Sequence, residues 1–237
     1  MAILELASLS RAFGGLRVID RLDFAIEPGE IVGILGPNGA GKTTLFNVIA
    51  GVLSPSAGRV VFEGRDVTAM KPWDRCRLGV GRTYQIPKPF THMSTFENVL
   101  VAAIHGGRSS MAHAKSEAEA ILERTGLAHR ALTPAGQLAL LDTKQLELAK
   151  ALAVKPRLLL LDEIAGGLTE AECDILLGTI ADVHNSGVTI VWIEHVIHAL
   201  RRLVTRLAVL SGGGFIAMGA PQDVLADQRV KEAYLGT

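Results

Sequence analysis

The sequence lacks any stretch apolar enough to cross a bilayer: runs such as Leu158–Leu161 fall far short of the roughly 20 residues that a spanning helix needs. No secretory leader is expected, because Met1-Ala2-Ile3-Leu4-Glu5 has no basic start and reaches an acid too early. Cysteine is nearly missing. Cys76 and Cys173 stand far apart, fit no metal spacing, and read as reduced structural thiols of a cytosolic protein. An excess of charge of either sign is missing too: 24 Lys and Arg face 24 Asp and Glu, so no basic excess points to nucleic acid. There is no Gly-, Ser- or Pro-rich linker, no repeat and no low-complexity tract, so one domain over 1–237 is expected. What remains is 49% hydrophobic and 20% charged, the composition of a globular chain able to bury a sizeable core.

The N-terminal part reads as strands. Ile3–Leu6 and Leu22–Ile26 alternate on either side of the Gly14-Gly15 turn, and Pro28-Gly29 closes the second. Ile31–Leu35 is an apolar run expected as a buried strand. Leu45, Val48, Ile49 and Val52 then take helical spacing until Pro55, and Arg59–Gly64 reads as a further strand. From Ser94 to Val154 the pattern is helical, with Phe96, Val99, Leu100 and Ala103 on one face, a second helix in Met111–Gly126 and a third in Leu141–Val154. The core pattern resumes with Arg157–Asp162 as strand, Ala171–His184 as helix and Gly187–Ile193 as strand. Gly213–Gly219 is expected to lie between two strand-like runs, followed by a short C-terminal helix. The fold class expected is α/β: a mostly parallel P-loop core with an N-terminal antiparallel β part and a helical insertion at about 86–155.

Two motifs carry chemistry. Gly36-Pro37-Asn38-Gly39-Ala40-Gly41-Lys42-Thr43, followed by Thr44, matches G-x-x-x-x-G-K-[ST] with a strand before it and a helix after it. Its glycines let the backbone wrap so that successive N–H groups meet phosphate oxygens, and the helix N-terminus adds partial positive charge. Lys42 is the expected contact to the β- and γ-phosphates of ATP, and Thr43 the hydroxyl for Mg²⁺. Leu158-Leu159-Leu160-Leu161-Asp162-Glu163 ends an apolar strand on two acids. Taken alone it is equally a strand meeting solvent. With the glycine loop upstream it reads as Asp162 for the Mg²⁺ shell and Glu163 as general base for the attacking water.

Over essentially its whole length the chain resembles the ATP-binding cassette family. The resemblance implies that Gln85, after the strand-like Gly79–Tyr84, is the glutamine that touches Mg²⁺ and faces a transmembrane partner. It implies that His195 is the histidine that contacts the γ-phosphate, and that Phe13 stacks on adenine, although a Phe there also suits core packing. His92, His113 and His198 match nothing. The family signature, Leu-Ser-Gly-Gly-Gln opening a helix, is replaced here by Leu138-Ala139-Leu140-Leu141-Asp142. Leu210-Ser211-Gly212-Gly213-Gly214 resembles the signature more closely but follows His195 and reads as a hairpin turn. Asp142 with Gln145 is expected as a capping box at the start of the signature helix. Ile164 replaces a proline, and Gly167-Leu168-Thr169 replaces the family's Leu-Asp or Leu-Asn.

Arg11–Leu16, Thr83–Phe90, Phe96–Leu100, Ile193–Val196 and Glu232–Gly236 look like the ATP-binding subunits of importers for branched-chain amino acids, urea or amides. That likeness implies a cytoplasmic subunit, peripheral on the inner face of the membrane. Its partners would be a second ATP-binding subunit (the same chain or another), two transmembrane permeases and, indirectly, an extracytoplasmic substrate-binding protein, with no nucleic acid. In the dimer, Ala139, Leu140, Leu141 and Asp142 would face the partner's ATP. Three other classes stay in view: a cassette acting on ribosomes or nucleic acid, which lacks its usual second cassette here; a GTPase, which lacks Asn-Lys-x-Asp; and a regulatory cassette with little turnover, which the altered signature favours.

Overall fold

The computed structural model describes residues 1–235, with side chains to 233, so Gly236 of the last importer-like stretch lies outside the described residues. The chain forms two compact units, Met1–Arg75 together with the chain from Thr189 on, and Cys76–Val188. In chain order the first begins with β1 (Leu4–Phe13), β2 (Leu16–Ile26), β3 (Ile31–Leu35), α1 (Lys42–Ile49), β4 (Ala57–Phe62), β5 (Arg65–Asp66) and the start of α2 (Pro72–Arg77), whose last two residues belong to the second unit. The second unit holds β6 (Val80–Arg82), α3 (Thr95–His105), α4 (Met111–Arg124), α5 (Leu140–Ala153), β7 (Leu158–Asp162) and α6 (Glu170–Asn185). The chain then returns to the first unit with β8 (Thr189–Ile193), α7 (Ile197–Leu203), β9 (Arg206–Ser211), β10 (Gly214–Gly219), α8 (Pro221–Ala226) and α9 (Gln228–Leu235).

The first unit carries an antiparallel sheet in the order β2-β1-β4-β5. Both predicted N-terminal strands are longer than the sequence suggests, because β1 and β2 pair all the way to the Gly14-Gly15 turn, with register shifts along the ladder. A second sheet in this unit runs β10-β9-β3-β8, in which β3 is parallel to both β8 and β9. Every residue of β3 and β8 is buried, as expected for parallel strands covered on both faces. The α1 helix ends at Ile49, well before Pro55. Gly51, at φ 78°, terminates it in the left-handed conformation that glycine adopts without strain.

Gly214–Gly219 is itself strand β10 rather than a loop between strands, paired antiparallel with β9. The turn between them is Gly212-Gly213, with φ of 58° and 85°, as a two-residue hairpin turn requires. The signature-like Leu210–Gly214 segment is therefore a hairpin.

In the second unit β6 and β7 are parallel neighbours, and β7 is buried throughout. Helices α3, α4 and α5 share a core of Val99, Ala103, Ala114, Ala118, Leu122, Leu146, Ala149 and Ala153. Alanine dominates it, which lets the helix backbones approach closely and keeps side-chain entropy loss small. The helix starts are firmly defined: Ser94 with Glu97 and Thr169 with Glu172 each form a reciprocal capping box. Thr169, the last residue of the altered Gly-Leu-Thr stretch, thus has a local role as the cap of α6.

Candidate functional site

In the first unit β3 runs straight into the glycine loop. Gly36 sits at φ 155°, and a Cβ there would lie 2.2 Å from the backbone oxygen of Leu210, so no side chain fits. Gly39 and Gly41 take φ of 82° and 100°, and Gly41 caps α1 with its backbone alone. The α1 amides thus begin without a side-chain cap, the arrangement that favours an anion at a helix N-terminus. Lys42 is buried, and its ammonium donates to the backbone oxygens of Gly36 (2.6 Å) and Pro37 (3.0 Å). Asn38 and Thr43 are exposed, Pro37 and Thr44 half-buried, and Ala40 buried.

Beside β3, strand β8 ends at Ile193, with Ile34 and Ile193 in register. The glycine loop and His195 therefore leave the carboxyl ends of adjacent parallel strands, where open α/β sheets bind ligands. His195 is exposed. The turn that presents it is fastened by buried Glu194, whose carboxylate accepts from the His195 N–H at 2.9 Å and the Val196 N–H at 3.4 Å. Phe13, at the end of β1, is exposed on the same unit, and the Arg11 guanidinium lies 4.5 Å from its ring centroid. The ring is 43% exposed, so core packing alone does not account for it, and the Arg11 cation covers one of its faces.

In the second unit the ends of β6 and β7 come together. Asp162 is buried, and its carboxylate accepts from the Arg82 guanidinium at 2.9 Å. The Asp162 N–H donates to the Thr83 hydroxyl at 3.1 Å. Glu163 follows at φ 46°, a left-handed conformation unusual for a residue with a side chain. Its carboxylate accepts from the Gln85 side-chain amide at 2.5 Å, so two residues singled out in the sequence are directly bonded. Lys144 of α5 is buried and donates to the backbone oxygens of Gln85 (3.0 Å) and Glu163 (3.3 Å).

The predicted capping box at Asp142 and Gln145 does not form. The helix begins earlier, at Leu140, with Ala139 as its N-cap and no side-chain cap. Leucines propagate a helix where glycines would interrupt it, so α5 takes in Leu140 and Leu141 and leaves Asp142 in its first turn. There Asp142 meets Arg130 at 3.3 Å and complements the helix dipole, while Gln145 is buried. Leu140 remains largely exposed.

Arg82, Lys144 and Glu194 escaped the sequence reading because no motif marks them. Arg82 and Lys144 belong to a strand and a helix whose neighbours only the fold supplies. Glu194, next to His195 and buried after an apolar strand, had the one signal that was there to be read.

The description "ABC transporter" belongs to the family model that matches residues 19–166, and a model described as "Branched-chain amino acid ATP-binding cassette transporter" matches 216–237. The high-affinity branched-chain amino acid transport ATP-binding protein BraF of Pseudomonas aeruginosa is 34% identical, over 99% of this chain and 98% of its own length. The corresponding protein LivG of Escherichia coli K12 is 33% identical over 99% and 98%. A probable LivG of Archaeoglobus fulgidus is 33% identical over 100% and 96%. Among solved structures, a nucleotide-free ATP-binding cassette from an ABC transporter superposes with a TM-score of 0.90 at 30% identity, covering 100% of both chains. An ADP conformation of such a cassette gives 0.89 at 30% identity, again over 100% of both. With its glycine loop, acid-tipped strand and whole-length likeness to these proteins, the chain belongs to the ABC transporter family, as a P-loop ATPase of the ATP-binding cassette type.

Proposed function

We propose that this chain is the ATP-hydrolysing subunit of an importer for branched-chain amino acids or a related small polar or amide solute. It works as a nucleotide-sandwich dimer on the inner face of the membrane, against two permeases fed by an extracytoplasmic binding protein. The observation that carries the substrate class is the likeness to branched-chain transport subunits along the entire chain, including the C-terminal 216–237. Among the described residues no helix is long and apolar enough to cross a membrane, which fits a subunit held there by its partners.

The residues suit the ligands this role needs. Gly36, Gly39 and Gly41 let the loop backbone wrap tightly, a Cβ at Gly36 would strike the Leu210 backbone oxygen, and the Lys42 ammonium is already oriented on that loop. This donor set, with Pro37, Asn38, Ala40 and Thr44 completing the loop, fits a triphosphate. Thr43, Gln85 and Asp162 offer hard oxygen donors of the kind Mg²⁺ prefers. When bound, Mg²⁺ would neutralise charge on the phosphate oxygens. Phe13 stacks on the adenine, His195 contacts the γ-phosphate, and Glu163 accepts the proton of the attacking water while Gln85 orients its carboxylate.

In a dimer of like chains the segment Ala139-Leu140-Leu141-Asp142 would face the partner's nucleotide, with no serine hydroxyl or glycine backbone there. That favours pairing with a second cassette of different sequence, or slow turnover as a homodimer. The test is to purify the chain with its membrane partners, identify them, and follow leucine and urea uptake in proteoliposomes. Leucine-dependent uptake with wild-type protein, lost in Glu163→Gln while ATP still binds, is expected. Uptake of neither solute class would overturn the importer assignment, and full turnover in Glu163→Gln would overturn the general base.

A further inference from the structure

One buried cation joins elements that no motif connects. Lys144 lies on α5, one helical turn after Leu140, and is only 4% exposed. An ammonium so placed is stable only where oxygens replace its water. Its oxygens here include the main-chain carbonyls of Gln85 and Glu163. The side chains of those same two residues meet at 2.5 Å, which closes a ring: Lys144 to the Gln85 backbone, the Gln85 side chain to the Glu163 side chain, and the Glu163 backbone back to Lys144. The grip continues down the helix. Buried Glu147 accepts from the Lys88 N–H at 3.2 Å, and Lys150 donates to the Lys88 oxygen at 2.8 Å and to Glu147 at 2.6 Å. Three charged residues at i, i+3 and i+6 thus hold the backbone from Gln85 to Lys88.

We propose that Lys144 is a positioning residue for hydrolysis, fixing the backbone of Glu163 and Gln85 so that shifts of the signature-bearing helix α5 move the Glu163 carboxylate directly. The backbone of Glu163 gives the reason such a tether is needed. At φ 46° it sits in a region that strains a side-chain-bearing residue and persists only where the surroundings enforce it. Lys144 supplies a charge-assisted bond at that residue's own carbonyl. The proposal rests on the reading of Glu163 as general base, and it adds a route by which α5 sets that base in place.

The test uses the full chain and steady-state ATP hydrolysis with Mg²⁺, comparing Lys144→Met, Lys144→Arg, Glu163→Gln and the double variant Lys144→Met/Glu163→Gln. Displacement of a reacting group by about 1 Å costs about 100-fold, so Lys144→Met is expected to lower kcat by about that factor. KM for ATP should stay within about twofold, since the phosphate loop is untouched, and Lys144→Arg should recover most of the rate. In the Glu163→Gln background Lys144→Met should cause no further loss, because the group it positions is already gone. Wild-type kcat in Lys144→Met, a loss carried by KM, or an equal further loss in the double variant would each overturn the proposal while leaving Glu163 as base. Wild-type turnover in Glu163→Gln would overturn both. Should Lys144→Met fail to fold, Lys144→Gln, which keeps one donor group, takes its place with the same expectation and the same overturning results.

Discussion

The side-chain amide of Gln85 donates to the carboxylate of Glu163 at 2.5 Å, across 78 positions of sequence. Gln85 belongs to the segment read as facing the permease and Glu163 to the strand end read as activating water, so one hydrogen bond links both readings. Gln85→Ala removes that orienting donor. Turnover is expected to fall by about tenfold or more, the scale of a lost charge-assisted bond of about 1.5–3 kcal/mol, with ATP affinity little changed. Steady-state hydrolysis and binding of a fluorescent ATP analogue separate the two effects.

The start of α5 allows stability and activity to be moved in opposite directions. Ala139 is the N-cap and contributes no cap bond, so Ala139→Ser should raise stability by about 1 kcal/mol. Adding Leu140→Gly and Leu141→Gly introduces two glycines into a helix, at roughly 1 kcal/mol each, and should lower stability overall. The same triple variant restores Ser-Gly-Gly and should raise ATP turnover. Urea unfolding read beside hydrolysis rates checks both directions. A flat or lower rate would mean that the natural loop is fitted to its partner.

Arg75 fastens the carboxyl end of the phosphate-loop helix. Its guanidinium donates to Val48 and Ile49 at 2.7 Å each and to Thr68 at 2.9 Å, and the residue is buried. Burial pulls its pKa down to about 10, which leaves it charged at neutral pH. Arg75→Met would strand the terminal carbonyls of α1, and a loss of about 3 kcal/mol is expected in chemical unfolding.

Burial also pushes the Cys76 thiol above its ordinary value, the nearby Arg77 charge opposing the rise. The thiolate is the reactive form, so a raised pKa means less of it at any pH below that value. Alkylation of native Cys76 at pH 8 is expected to lag well behind that of the urea-unfolded chain. The gap should narrow as the pH is raised, which peptide mapping after timed iodoacetamide exposure would show.

How much of this was legible in the sequence depended on the range of the interaction. The conformation of the glycine loop was readable because it is local: a strand, a tight turn and a helix start within a dozen residues. The acid-tipped strand and the Gly212-Gly213 hairpin were readable for the same reason. The capping box at Asp142 was misread because local pattern cannot tell whether two leucines prolong a helix backwards or leave it free to start later. Gly213–Gly219 was placed between two strand-like runs, and most of it proved a strand, because its partner in β9, and not its own glycine-flanked composition, makes it one. Lys144 could not be found at all, since its oxygens come from residues 59 and 19 positions away.

The strand that leads into the phosphate loop has neighbours from the far end of the chain: Ile31 pairs with Ile190, and Val32 with Arg206. The unit from Cys76 to Val188 is continuous in sequence, whereas β3 must wait for β8 and β9. During translation this apolar strand therefore leaves the ribosome long before either flanking strand exists, and it depends on late, long-range pairing of the kind that folds slowly and is exposed to aggregation. A nascent chain arrested before Thr189 should accordingly fail to retain ATP. The nucleotide site is thus a late product of biosynthesis, assembled when the two halves of an interrupted unit are rejoined.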